Sequence, residues 1–261
     1  MARAGQQMTA PIVIHAGFHK TGTSTVQAFL KANRPHLKPH MAIVLKPRIR
    51  DVLHAARGYS TWRDPLTLAK FAHRIETVFA GLPGVRRRGL ILSAEELCGH
   101  MPGRDGIDDY SAAPVLLTEI AHAAERVWGR PDLHFVLTTR ARDAWLESSY
   151  WEHVKSSSMT EDFADYAARI GPGADLSEIA ARVAQAVAPF PVHDIALDTG
   201  PADPILGLFD LPDATWAALT PVPARNTRPA PETLQRLLEI NRTISDRTAR
   251  KLAKQALLRQ G

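Results

Sequence analysis

With 45% of its 261 residues hydrophobic, the chain has the material for one substantial core, yet no apolar run nears the roughly 20 residues that a membrane-spanning helix requires. Cys98 is the only cysteine, which excludes an intramolecular disulfide and a cysteine-based zinc cluster and fits a reducing, cytoplasmic setting. The formal charge of +5 gathers at the end of the chain, where Arg228 to Arg259 holds eight Lys/Arg against three Asp/Glu. No aromatic residues are interleaved there as a single-strand nucleic-acid binder would want, so no nucleic-acid partner is expected.

Residues 1–10 read as a disordered leader, without the basic, apolar and small-residue succession of a secretory signal. "PIVIHAG" (11–17) is a short β-branched run ending in a turn. "TSTVQAFLKAN" (23–33) has helical periodicity, with Thr and Ser at hand to cap it, so this part reads as strand, loop and helix. Helical patterns follow at 65–82 and 111–129, the second stopped by Gly129 with Pro131 beyond it. Strands are predicted at "GLILS" (89–93), "LHFVLTTR" (133–140) and "PVHDIALD" (191–198), each a short continuous run of the kind buried on both faces. This alternation predicts an α/β fold over residues 11–261, a three-layer sandwich with a central parallel sheet and helices on both faces. Loops at 99–114 and 169–177 are rich in Gly, Pro and Asp and could frame a ligand. The last predicted element is a basic amphipathic helix over 231–259, with Leu234, Leu237, Leu238, Asn241 and Ile244 on its apolar face.

The loop "HKTGTST" (19–25) joins the first strand to the first helix, where backbone N–H groups and the helix N-terminus form an anion site. Lys20 adds a mobile positive charge, Gly22 permits close approach, and Thr21, Thr23, Ser24 and Thr25 offer hydroxyls. A Walker A loop carries its lysine after the second glycine, in G-K-[ST] order; here Lys20 precedes Gly22. An ATP-dependent kinase therefore stays only as an alternative, without that order and without a clear Asp-bearing strand for Mg²⁺. Downstream, "FVLTTRARDAWLESSYW" (135–151) sets Arg140 at a strand end and Ser148 eight residues on, a guanidinium and a hydroxyl suited to a phosphate dianion. Ser149 is a second choice of donor and Arg142 a second cation. Trp145 and Trp151 read either as packing residues or as platforms for adenine.

These residues, in this order, resemble the two phosphate sites of sulfotransferases that use 3′-phosphoadenosine-5′-phosphosulfate (PAPS). The resemblance implies a P-loop-like domain in which His19, Lys20, Thr21, Gly22, Thr23, Ser24 and Thr25 hold the 5′-phosphosulfate, and Arg140 and Ser148 hold the 3′-phosphate. "PARNTRPAPETL" (223–234) is similar to a late loop of bacterial members, so that Arg225, Asn226 and Thr227 would close over the 3′-phosphate or adenine; the same residues also suit a proline-bounded helix start. The implied activity is in-line sulfuryl transfer to a hydroxyl, or an amine, of a small molecule, lipid head group or glycan. Lys20 would neutralise the leaving group, no metal would be needed, and adenosine 3′,5′-bisphosphate would be the by-product. His15 and His19 flank the loop without carboxylate partners for a metal, and His15 reads as an inward strand residue. For the base, Glu95 in "LILSAEELCG" (90–99) resembles the acidic residue that follows this strand in bacterial members; Ser93 and Glu96 could instead form a capping box. His54 is the competing base, or an exposed helix histidine. A non-catalytic nucleotide-binding protein of the same fold is the other alternative.

Overall fold

The computed structural model describes residues 10–104, 106–200, 202–223 and 230–259; residues 1–9 of the expected leader, and Arg225, Asn226 and Thr227, lie outside the described residues. Five short apolar runs form parallel strands: β1 (Ile12–His15), β2 (Ala42–Leu45), β3 (Leu90–Ser93), β4 (Leu133–Thr139) and β5 (Val192–Ala196), in the order β2-β3-β1-β4-β5. Parallel neighbours need crossover connections, and helices supply them. Those of eight or more residues are α1 (Thr23–Ala32), α2 (Arg50–Trp62), α3 (Pro65–Ala80), α4 (Ala113–Trp128), α5 (Arg142–Ser156), α6 (Phe163–Ile170), α7 (Leu176–Ala186), α8 (Pro231–Thr243) and α9 (Arg247–Leu258).

Side chains alternate across the pleat and create two cores. Ile12 and Ile14 of β1 join Leu90, Leu92, Phe135 and Leu137 on one face, under α2, α3, α4 and α7. Val13 joins Ile43, Ile91 and Val136 on the other, under α1 and the Ile205–Leu211 region. The result is the expected α/β sandwich with a buried parallel sheet. Its central strand is β1, in register with β3 through His15↔Ser93 and with β4 through His15↔Val136. The chain runs from β1 to β2 on one side and reaches β4 and β5 on the other. The carboxyl ends of β1 and β4 thus border the topological switch point at which open α/β sheets bind ligands.

Four details differ from the sequence reading. β2 was not among the predicted strands; it is four residues long and lies at a sheet edge, paired from Ala42↔Leu90 to Leu45↔Ser93. β5 is not buried on both faces, because it forms the other edge and carries His193 and Asp194. No Thr or Ser caps α1: its N-cap is Gly22, with no side-chain hydrogen bond. The helix predicted over 231–259 is broken into α8 and α9, since the Ile244 backbone is extended and the Asp246 carboxylate accepts from the Ala249 N–H at 2.7 Å to start a new helix. Leu237, Leu238 and Leu257 still pack into the core.

Candidate functional site

The loop after β1 is held by side chains from three directions. Gly17 has φ +22°, and a β-carbon there would lie 2.6 Å from Thr138 Oγ1, so glycine lets the loop pass against β4. Thr21 Oγ1 donates to the Phe18 carbonyl at 2.5 Å and meets Thr138 Oγ1 at 2.7 Å; Thr23 Oγ1 donates to the same carbonyl at 3.2 Å. The Trp145 indole donates to the His19 carbonyl at 2.8 Å. The Tyr110 hydroxyl lies 3.1 Å from both the N–H and Nδ1 of His19. It accepts from the first, which leaves its proton for the second.

Two of the four expected hydroxyls, those of Thr21 and Thr23, are therefore buried within the loop, whereas Ser24 is exposed and Thr25 half-buried. Lys20, at φ +67°, occupies left-handed space that a non-glycine residue rarely visits. No described backbone carbonyl accepts from the N–H groups of Lys20, Thr21 or Gly22, and the first turn of α1 has no side-chain cap. Such converging amides at a helix start form an anion-binding nest.

Lys20 Nζ pairs with Glu152 Oε2 at 3.1 Å, and Lys155 Nζ meets the same oxygen at 2.9 Å. Burial pushes the Glu152 carboxyl up, but its hydrogen bond from Lys155 and the charge of Lys20 outweigh this and hold it below the usual carboxylate range. Glu152 was not singled out from the sequence, although it lies one helical turn beyond Ser148. Arg140 follows β4 directly and is half-buried, as is Ser148 on α5. Ser149 is committed elsewhere: fully buried, it donates to the Leu146 carbonyl at 2.9 Å and accepts from Tyr166 at 2.9 Å. Arg142 donates to the Gly171 carbonyl at 3.1 Å. Trp145 is fully buried and Trp151 nearly so, which makes both packing residues.

Glu95 opens a single turn (Glu95–Cys98) beyond β3 and is buried. The capping box does not form, because Ser93 Oγ bonds His15 Nδ1 at 2.8 Å and Glu96 pairs with Lys46 at 3.1 Å. Lys46, at the end of β2, also pairs with Glu95, to which Gln27 donates at 3.0 Å. Burial pushes the Glu95 carboxyl up; the positive influences of His19 and Lys46 pull it further down, to below the ordinary range. Burial holds His19 itself at about 3, so at neutral pH the charge beside Glu95 is that of Lys46. His54 is exposed on α2 and lines a cavity of about 520 Å³ with Lys46, Arg57 and Glu96. The structure thus joins Lys20 to Glu152, while Glu95 is joined to Lys46 and stands one residue from Glu96 on the rim of the cavity that His54 lines.

Among the described residues, no group of three or more His, Cys, Asp or Glu could hold a metal ion, and no helix is long and apolar enough to cross a membrane. No curated protein and no solved structure matches the chain. Residues 12–187 match a family model described as a sulfotransferase domain. That span begins with β1, ends just beyond α7, and takes in the loop, Glu95, Arg140 and Ser148. Because the match extends over more than half of the chain, the protein belongs to the sulfotransferase family.

Proposed function

We propose that the protein transfers a sulfuryl group from PAPS to the hydroxyl of an acceptor by in-line displacement. The observation that carries this reading is the convergence, at the carboxyl ends of β1 and β4, of an amide-lined loop bearing Lys20 with Arg140 and the Arg142–Ser156 helix bearing Ser148. Residues His19 to Thr25 bind the 5′-phosphosulfate, with the loop amides and Lys20 as its charge partners, and Arg140 and Ser148 take the 3′-phosphate. In the reaction the acceptor oxygen bonds to sulfur, the bond from sulfur to the 5′-phosphate oxygen breaks, and its electron pair stays on that oxygen. Lys20 leaves Glu152 to neutralise it. The acceptor proton goes to Glu95, ionised at neutral pH and placed beyond the end of β3; His54 is the second candidate.

Calorimetric titration of adenosine 3′,5′-bisphosphate in EDTA, with ATP as control ligand, tests the donor. Wild type is expected to bind the bisphosphate tightly, Arg140→Ala at least tenfold more weakly, and ATP weakly in both. An ATP preference that depends on Mg²⁺ would overturn the assignment in favour of kinase chemistry.

A further inference from the structure

A cleft of about 1090 Å³ opens beyond the last turn of α5, walled by Gly103, Arg104, Gly106 and Asp108, the 155–161 segment and one face of α9. Among the described residues, two carboxylates line it, Asp108 and Glu161, and both clasp Arg169, at 2.6 Å each. The other lining cations are Arg104, Lys155, Arg247, Arg250, Lys251 and Lys254. Among the described residues, the only carboxylate paired with any of these six is Glu152, on Lys155. Lys254 is fixed as part of the wall, buried and donating to the Val154 and Ser157 carbonyls at 2.7 and 2.5 Å. Arg247 and Lys251 are exposed. A concave wall whose cations outnumber its carboxylates focuses its field on whatever enters and draws anions in.

The cleft joins the candidate site through one helix face. Ser148, Glu152 and Ser156 are spaced four residues apart on α5, so they share a face that runs roughly 12 Å. Glu152 Oε2 is shared by Lys20, on the loop, and Lys155, on the cleft. A group seated against Lys155 is therefore one shared carboxylate away from the lysine at which sulfuryl transfer is placed.

We propose that this cleft is the acceptor site, and that the acceptor is a hydroxyl compound with negative charges of its own: carboxylate, phosphate or sulfate groups that settle against Arg247, Arg250 and Lys251. The accepting hydroxyl then lies toward Lys20. This rests on the reading of Lys20 as the residue that attends the transferred group. The cations are not a second hold on the donor, because Arg140 and Ser148 stand at the other end of α5.

The test uses the full chain saturated with adenosine 3′,5′-bisphosphate and measures binding of four probes: a glucuronate-containing hexasaccharide, neutral maltohexaose, phosphatidylcholine vesicles with and without phosphatidylinositol, and a single-stranded dodecanucleotide. At least one of the first and third is expected to bind ten times tighter than its neutral counterpart. The double variant Arg247→Glu/Lys251→Glu should lose that advantage and keep its bisphosphate affinity. Hexasaccharide binding identifies a soluble acidic glycan as the source of the charge, vesicle binding a lipid head group. Equal binding of charged and neutral probes, no binding of either anionic probe, anion binding that survives charge reversal, or an oligonucleotide that binds as tightly would each overturn the proposal. A variant that loses bisphosphate affinity would overturn it too, by assigning the cleft to the donor. Failure of wild type to bind bisphosphate would sink the donor reading instead, and the charge preference of the cleft would still be read from the same probes without it.

Discussion

The loop after β1 and the basic cleft both suit anions, yet they are built by opposite means. In the loop, the side chains of Thr21, Thr23, Tyr110, Thr138 and Trp145 hold the backbone in place, and the backbone itself presents the donors. Only Lys20 brings a charge, and it does so from a left-handed conformation. In the cleft the charge comes from side chains, several of them long and exposed, on segments as far apart in sequence as Arg104 and Lys251. A preorganised backbone suits one ligand whose geometry never changes, whereas a field of flexible cations admits a class of ligands. The difference fits a fixed donor and a variable anionic acceptor.

The sharpest way to separate the two regions is acid. Burial holds His15, beneath the loop, at about 4, with the nearby Glu95 only partly offsetting it, and His19 is depressed further. Both stay neutral in the folded protein while the unfolded chain takes up protons near the ordinary 6.5. Unfolding thus binds protons between pH 6.5 and about 4, and stability is present above that window and lost as pH falls through it. For His15 alone the loss is about 1.4 kcal/mol for each unit crossed. Urea denaturation at pH 7, 6 and 5 checks this, and a flat profile would mean that His15 is not held neutral. Burial lowers His153, behind the Gly103 wall of the cleft, as well, so the share that belongs to the loop is the part of the slope that a His15→Asn variant removes.

Backbone strain divides the regions on a smaller scale. Gly17→Ala sets a β-carbon against Thr138 Oγ1 and is expected to cost about 1–3 kcal/mol. Gly106, on the cleft rim, also has a left-handed backbone at φ +71°, but a β-carbon there meets nothing within 4 Å. Gly106→Ala should therefore cost only its conformational part, about 1 kcal/mol. Equal losses in urea melts would show that the loop is not packed as tightly as its contacts require.

The same contrast explains what the sequence made legible. The proposed phosphate loop is local: strand, glycines, lysine and helix follow one another, and Arg140 with Ser148 is a second local pair, so order and spacing suffice to propose them. The sheet was legible wherever apolar runs were flanked by turns. β2 is hard to read because four residues at an edge leave little periodicity, and β5 reads as a buried strand from its apolar residues alone although His193 and Asp194 mark an edge. Glu152, Lys46 and the cleft were not legible, because their meaning lies in contacts across the fold. Glu152 matters through Lys20, which lies 132 positions earlier, and Lys46 through Glu95, 49 positions later. The basic tail was visible as charge, but nothing local said that it would turn at Asp246 and put α9 against the segment after α5.

That turn supplies the finest test of the comparison. Asp246 caps α9 through its carboxylate and also sets a negative charge beside Arg247 at the mouth of the cleft. Asp246→Ala removes both, and losing a cap of this kind costs about 1 kcal/mol, or roughly 2–4 °C in a domain of about this size. Asp246→Asn keeps a capping oxygen and removes only the charge, so its melting temperature should stay within a degree or so of wild type. If the cleft attracts anions through its field, Asp246→Asn should bind the anionic probe slightly more tightly, whereas Asp246→Ala gains the same charge effect but frays the helix that carries Arg247 and Lys251. Probe affinity should then rank Asn above Ala, with bisphosphate affinity the same in both. Melting curves and probe titrations on the pair decide it: equal probe affinities for Asn and Ala would mean that the cap of α9 does not help to shape the cleft.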